Sequence, residues 1–450
     1  MQRLFLLGSG PLPFEQGIRT AAGLRTYQFL KPLLDQPDRF ELHLVTIADV
    51  EQARQSIQIQ NGSYLALGKD DPRLVQKVRN CYEKVKPDVV IAVNTFPSFV
   101  ASKLDIRVTF WADLNGWIMA EAQAQAFKMH SNDYLPHYFE MEKSIIGRAD
   151  KISAVSHRQE LALLGELAWA GRLNAATFGY TFTAMIPNGT EWFEGEKSQQ
   201  DPYSGFIEFE RIPKAAFIAL WVGGYNTWVD EVTLFEGLEK AMVEDKHLHF
   251  VSTGGAIRGL DNKTFSHFQE LILASEFKDR FHFLGWVKTA QIPGLYQHAD
   301  VGLNVDHSCL ETLTGARNRI NEMMKYGLPV ITTRGSEIAA GVEENNAGIV
   351  VESGNSEEFA RAIVGLAKLK KEHPEKFRHY GANGQKYIEE VCSYAICQKP
   401  LMEWLKNSAT ASDKGKILNL RSGNHFRAGI RYLRQNGLKK ILMKLFHTGK

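Results

Sequence analysis

Arg317, Arg319 and Glu322 lie close together in one stretch, DHSCLETLTGARNRINEMMKYGLPVITT over 306–333, that reads as loop, helix, tight turn and buried strand. Gly315 sits where a loop bends into a helix, and Ile320, Met323 and Met324 recur at helical spacing. Gly327 and Pro329 stop the helix, and Val330 and Ile331 open a β-branched strand. A helix N-terminus presents free backbone amides and the positive end of its dipole, which suit a phosphate. Two arginines in that first turn oppose the dipole, and an anion bound between them removes the conflict. Glu322, one turn later, is placed to reach a ribose diol beyond the phosphate. An Arg319–Glu322 surface pair at i,i+3 explains the same residues equally well, so this stretch alone leaves both readings open.

Two glycine-bearing loops offer further backbone. The first runs from Gly8 to Gly17 as GSGPLPFEQG. It begins as GxG, but Pro13 occupies the third glycine position of a dinucleotide fingerprint and the helix starts late, so a nicotinamide dehydrogenase gains little support. Close backbone approach at Gly17 remains. The second, WVGGYNTWVD from Trp221 to Asp230, combines Gly223 and Gly224 with the neutral donors Asn226 and Thr227. An ordinary N-capped turn accounts for the loop. Two tryptophans and a tyrosine weaken that reading, because aromatic rings stack on sugars and bases.

Alternating elements must position these groups. Strands are expected at Leu4–Leu7, Leu42–Thr46, Val89–Val93, Val108–Trp111 and Lys151–Val155, with helices at Arg19–Leu34, Pro72–Val85, Met119–Met129 and Tyr138–Ile146. After a polar, aromatic connection over 191–213 the alternation restarts, with strands at 217–222, 249–252, 281–284, 301–305, 330–332 and 349–351. Helices are expected between them at 230–243, 265–273, 291–296 and 357–369. Continuous apolar strands between helices indicate parallel sheets covered on both faces. The fold class is therefore α/β, in two similar halves: 1–190 and 214–395, followed by C-terminal helices and a tail over 396–450. Ligands of such sheets bind outside the carboxyl ends of the strands, and a cleft between the halves is the natural place.

The 450 residues carry a formal charge of +2 and are 44% hydrophobic, an ordinary globular composition with no argument for nucleic acid. Cys81, Cys309, Cys392 and Cys397 form no CxxC pair and have no His partners at ligand spacing, so neither a zinc site nor a disulfide framework is expected. A reducing cytoplasm fits that usage. MQRLFLLGSGPLP reads as a first strand rather than a signal peptide, and no apolar run is long enough to span a bilayer. From Ala411 to Lys450 there are ten Lys/Arg against one acid, Asp413, with Ile430, Leu433, Leu438, Ile441, Leu442 and Leu445 as a rough apolar stripe. Such a basic amphipathic helix fits an anionic membrane surface, and equally a solvated or packed-back tail.

MIPNG at 185–189, FLGWV at 283–287, HADVGLNV at 298–305 and NEMMKYGLPVITT at 321–333, in this order of elements, resemble the retaining glycosyltransferases of family 4. The resemblance spans roughly residues 1 to 400. It implies the GT-B architecture: two Rossmann-like domains facing across a cleft, the C-terminal one holding a nucleotide-sugar and the N-terminal one the acceptor, with no metal or other cofactor. Carried over by position, Glu322 binds the ribose hydroxyls and Trp286 and Val287 flank the base. Gly17 gives an amide to the diphosphate, and Gly223, Gly224, Asn226 and Thr227 lie beside the phosphates and the transferred sugar. Two departures stand out. The family's second glutamate, eight positions before Glu322, is Thr314 here, with Glu311 the nearest acid, and GGYNTWVD has no basic residue where members often place Arg and Lys. Arg317 or Arg319 is expected to neutralise the leaving diphosphate instead. Asp113, in TFWADLNGW, is the acceptor-side candidate, to orient a hydroxyl or act as base. A helix cap formed by Asp113 or Asn115 is at least as good a reading.

The reaction so implied is transfer of a hexosyl unit, glucose by default, from a UDP-sugar to a saccharide or lipid-linked acceptor with configuration retained, as in exopolysaccharide or cell-envelope assembly. The site would be cytoplasmic, peripheral on the inner membrane if 411–450 binds lipid. A non-catalytic carbohydrate- or nucleotide-binding protein and a UDP-sugar epimerase are the rival readings.

Overall fold

The computed structural model describes residues 1–15, 19–49, 57–193, 196, 212–257 and 259–413. Gly17, most of the expected connection over 191–213 and all but the first three residues of the 411–450 segment lie outside them.

The first lobe carries seven strands, β1 (Gln2–Ser9), β2 (Phe40–Ala48), β3 (Gly62–Gly68), β4 (Val89–Ala92), β5 (Thr109–Asp113), β6 (Lys151–Ala154) and β7 (Thr183–Met185). They form one sheet in the order β3-β2-β1-β4-β5-β6-β7, every neighbouring pair parallel. The second lobe has β8 (Phe217–Trp221), β9 (Leu248–Thr253), β10 (Phe281–Gly285), β11 (Val301–Asn304), β12 (Val330–Thr333) and β13 (Gly348–Val351), in the parallel order β10-β9-β8-β11-β12-β13. Each sheet reverses its winding beside its first strand, which opens a crevice at the carboxyl ends of β1 and β4 and of β8 and β11. The expected two-lobed α/β architecture is present.

Strand periodicity builds the covered sheets. In β1, Phe5 and Leu7 pack with Val90, Phe110 and Ile152 on one face, while Leu4 and Leu6 pack with Ile91, Trp111 and Phe29 on the other. In the second lobe Ala219 and Trp221 face one cluster and Ile218 and Leu220 the other. Leu401 and Leu405, from the helix Lys399–Trp404 and its end, join the first lobe's core beside Trp111 and Ile186. The chain therefore returns to the lobe in which it began.

First-lobe helices are α1 (Ala21–Leu34), α2 (Leu74–Val85), α3 (Thr95–Ser102), α4 (Ile118–Met129), α5 (Leu135–Ile146) and α6 (His157–Trp169). Strands β3 and β7 and helices α3 and α6 extend the expected element list. GSYLALG in β3 is bounded by glycine and forms a sheet edge, and TFPSFVAS in α3 hides a helix behind Pro97, which the first turn tolerates. The helix α6, which the sequence analysis did not expect, is capped by Ser156, whose side chain accepts from the Gln159 amide.

Candidate functional site

The loops after β8, β9 and β10 converge with the helix Asn318–Lys325. Gly223 has φ +103 with open space where a side chain would stand, so the chain turns here in a conformation that favours glycine. Gly254 has φ +81, and a Cβ added to it would lie 2.2 Å from the Gly223 carbonyl oxygen, so these two loops touch backbone to backbone. The Gly254 amide donates to the Gly285 carbonyl at 2.7 Å, and Trp286 beyond it is 61% exposed. Trp286 and Val287 thus stand at the open rim of the second lobe, with Gly224, Asn226 and Thr227 in the adjoining loop. The Asn226 Oδ1 accepts from the Thr227 amide at 3.3 Å.

The two arginines have different environments. Arg317, the N-cap of the Asn318–Lys325 helix, donates from Nε to Asp306 at 2.6 Å and from Nη2 and Nη1 to Glu311 at 2.6 and 3.0 Å. All three side chains are buried. Burial opposes the Arg317 charge, but Asp306 and Glu311 outweigh it and raise its pKa. Glu311 is itself pushed up, by burial first, with Arg317 pulling the other way. Arg317 is a structural bridge across the 306–317 segment, which holds the short helix Leu310–Thr314, and its donors are spent on carboxylates. The sequence reading set a phosphate against this guanidinium; in the structure it faces Asp306 and Glu311.

Arg319 has no carboxylate within salt-bridge distance among the described residues. Its guanidinium lies 3.9 Å from the centre of the Trp221 ring, and Nη2 donates to the Gly224 carbonyl at 2.9 Å. Nη1 is sealed from solvent yet has no hydrogen-bond partner among the described residues. Burial, with Arg317 nearby, pushes the Arg319 pKa down to about 10 although Asp306 opposes it. Such an underpaired cation is stabilised by any anion that reaches it. The helix it begins has no side-chain cap, so its first amides add to the same positive end.

Glu322 makes no pair with Arg319, which removes the surface-pair reading. Its carboxylate accepts from Thr190 Oγ1 and lies 2.9 Å from Lys325 Nζ and 4.0 Å from an Arg19 nitrogen. Lys325 also donates to the Glu191 carbonyl and to Glu196, both at 3.1 Å. Glu322 therefore faces the junction of the lobes, its side chain 12% exposed. Thr314 holds the lobes together as well: its carbonyl accepts from Ser156 Oγ at 2.6 Å, while its own hydroxyl donates to Leu310.

Asp113 ends β5 and is fully buried. It accepts from Arg25 Nη2 at 2.7 Å and Nε at 3.0 Å and from Ser153 Oγ at 2.6 Å. Asp113 Oδ2 also accepts from the backbone amide of Asn94, the N-cap residue of α3, at 3.5 Å, so in this structure the carboxylate is engaged with Arg25, Ser153 and a helix start. Glu121, in the first turn of α4 beyond the Gly116 turn, lies on the helix whose Gln125 and Lys128 reach Leu260 and Glu231 of the other lobe. Burial pushes its carboxyl up to about 8; the negative Glu311 across the cleft adds to this and Arg317 offsets it. Nothing in its sequence setting, IMAEAQ, singles it out; a loop glycine followed by the lone acid of an apolar helix turn was the available signal. Among the described residues no three or more His, Cys, Asp or Glu side chains are placed to hold a metal ion. No described helix is long and apolar enough to cross a membrane.

Residues 216–368 match the family described as glycosyl transferases group 1. No relative among curated proteins matches the sequence. Among solved structures, the sucrose-phosphate synthase of Thermosynechococcus elongatus is similar with a TM-score of 0.67 at 16% identity, over 90% of this chain and 99% of that one. HepE of Anabaena, in complex with UDP and glucose, gives 0.66 at 17% identity over 90% of this chain and all (100%) of that one. A trehalose-6-phosphate protein from E. coli bound with UDP-2-fluoro glucose gives 0.65 at 12% identity over 91% of this chain and 100% of that one. The chain has the GT-B glycosyltransferase fold, and its second lobe resembles the group 1 glycosyl transferases of family 4.

Proposed function

We propose that the protein is a glycosyltransferase that moves a hexosyl unit, glucose by default, from a UDP-sugar to a saccharide or lipid-linked acceptor with retention of configuration and without a metal. The observation that carries this reading is Arg319: a guanidinium with a sealed, unpartnered Nη1 and no carboxylate, at an uncapped helix start beside the open Gly223 turn. That arrangement fits a diphosphate. HepE of Anabaena, similar in fold, was solved with UDP-glucose.

The diphosphate lies between Arg319, the first amides of the Asn318–Lys325 helix and the 223–227 loop. Trp286 and Val287 flank the base, and Glu322 exchanges its bond from Thr190 for the ribose hydroxyls. As the sugar–phosphate bond breaks, negative charge builds on the diphosphate while the sugar becomes oxocarbenium-like. Fixed dipoles and Arg319 stabilise that charge without reorganising. The leaving phosphate oxygen takes the acceptor proton, and Glu121 positions the acceptor hydroxyl from the first lobe. Arg317 acts at one remove, holding the 306–317 segment through Asp306 and Glu311.

UDP release from UDP-glucose, measured with and without oligosaccharide or lipid-linked acceptors, tests the reading. A transferase releases UDP faster with acceptor. A binding protein releases none, and an epimerase converts the sugar with no UDP set free.

A further inference from the structure

Glu322 sits in a cluster of four charges drawn from three parts of the chain. Arg19 stands just before the Thr20 cap of α1 in the first lobe, Glu196 belongs to the connection between the lobes, and Glu322 and Lys325 share one helix of the second lobe. Arg19 Nη1 lies 2.5 Å from Glu196 Oε1 and 4.0 Å from Glu322 Oε2. Lys325 Nζ lies 3.1 Å from Glu196 Oε2 and 2.9 Å from Glu322 Oε2. Glu196 and Lys325 are buried, and Arg19 and Glu322 nearly so. Two cations face two anions, which lets the cluster leave water without an unpaired charge.

The two cations are not equivalent. Lys325 Nζ has three polar partners for its three donors: the Glu191 carbonyl, Glu196 and Glu322. Arg19 keeps donors in reserve. Its Nε is sealed from solvent with no hydrogen-bond partner among the described residues, and Glu322 stands just beyond hydrogen-bond reach of Nη1. The guanidinium packs 4.4 Å from the centre of the Phe193 ring. A purely structural arginine would be paired as fully as Arg317 is, and Arg19 is not. Glu322 is divided in the same way: Oε1 accepts from Thr190 Oγ1, while Oε2 faces Lys325 and Arg19. Thr190 belongs to the chain crossing between the lobes, where its amide donates to the Cys392 carbonyl at 2.9 Å.

We propose that Arg19 is a positioning residue for the donor: from the first lobe it orients the Glu322 carboxylate toward the ribose, so that this contact is complete only with both lobes in place. As the ribose hydroxyls displace Thr190 from Oε1, Arg19 closes the remaining gap to Oε2. The carboxylate is then held on one side by the sugar diol and on the other by Arg19 and Lys325. A planar guanidinium fixes the plane of a carboxylate, which a lone ammonium does not. The proposal rests on the ribose role given to Glu322 in the proposed function and adds the first-lobe residue that orients it.

The test is calorimetric titration of the full chain with UDP and with its dideoxy analogue, which keeps the base and the diphosphate but lacks the ribose diol. The wild type should prefer UDP by about 10–100-fold, the worth of hydrogen bonds to a charged group. Arg19→Met should cut that preference about ten-fold while leaving affinity for the dideoxy analogue unchanged. Arg19→Lys, which returns a cation without the planar fork, should restore part of it. A merely structural arginine would weaken both ligands alike or neither. Arg19→Met/Glu196→Gln removes one charge of each sign, keeps the cluster neutral, and serves if the single variant does not fold. Full wild-type preference for UDP in these Arg19→Met variants overturns the proposal. A wild type that binds UDP without preferring it removes the ribose role of Glu322 and this proposal with it. A wild type that binds neither ligand condemns the proposed function itself.

Discussion

Arg317→Ala separates a structural arginine from a phosphate ligand. The guanidinium bridges Asp306 at 2.6 Å and Glu311 at 2.6 Å, with side-chain exposures of 5%, 3% and 5% for the arginine, Asp306 and Glu311. Truncation leaves two buried carboxylates without their counter-charge. Breaking a buried ion pair from one side costs about 3–5 kcal/mol. Protonating one orphaned carboxyl of ordinary pKa at neutral pH costs about 4 kcal/mol, which lands in the same range. For a lobe of this size that is a fall in melting temperature of roughly 6–20 °C. The pH dependence follows in sign. Orphaned carboxyls have folded pKa values above their unfolded ones, so the penalty is present at neutral pH and shrinks as pH falls towards the unfolded carboxyl range. Calorimetric melting of wild type and variant at several pH values reads this directly. If Arg317→Ala melts with the wild type and yet has lost transfer, Arg317 is a ligand and the structural assignment is wrong.

Arg319→Met should do the reverse: stability within about 1 kcal/mol of wild type, since a buried charge without a carboxylate is removed, and UDP affinity weaker by about 10–100-fold by calorimetric titration, the worth of a charge-assisted hydrogen bond. Wild-type affinity in that variant would refute the anion site. Asp113→Asn should lower stability by about 2–4 kcal/mol in urea melts, because Arg25 is left buried and half-paired; unchanged stability with abolished transfer would restore Asp113 as a catalytic group. Burial pushes the Glu121 carboxyl up to about 8, above its unfolded value, so the wild type loses stability as pH rises from the carboxyl range through 8. Glu121→Gln should abolish that slope, and a parallel stability–pH curve for the variant would deny the raised pKa. Glu322→Gln should weaken UDP more than it weakens a ribose-free diphosphate, and equal losses would remove its ribose role.

The fold was legible because apolar strands of period two alternate with helices whose caps and stops are written in Ser, Gly and Pro. Thr20 and Ser156 cap α1 and α6 by accepting from the amides of Gly23 and Gln159. Edge strands such as β3 were not, since GSYLALG lacks the β-branched run that marks an interior strand. The site was legible as a region and misread in detail. Spacing put Arg317 and Arg319 on one helix turn, but which of them is spent depends on Asp306 and Glu311 folding back onto the first, a contact that no linear pattern encodes. Asp113 looked available because it ends an apolar strand; its partner Arg25 lies on α1, far away in sequence. Glu121 was passed over because its burial, with Glu311 of the opposite lobe beside it, is set by packing that no linear pattern encodes.

A crystal of the protein soaked with UDP tests the central claim most directly, read as the distance from the Arg319 guanidinium to the nearest phosphate oxygen. The expected result is a charge-assisted hydrogen bond of about 2.7–2.9 Å from Nη1, with the diphosphate against the 223–227 loop. A nucleotide bound elsewhere, or bound here with Arg319 still unpartnered and Arg317 released from Glu311 to meet the phosphate, would contradict it.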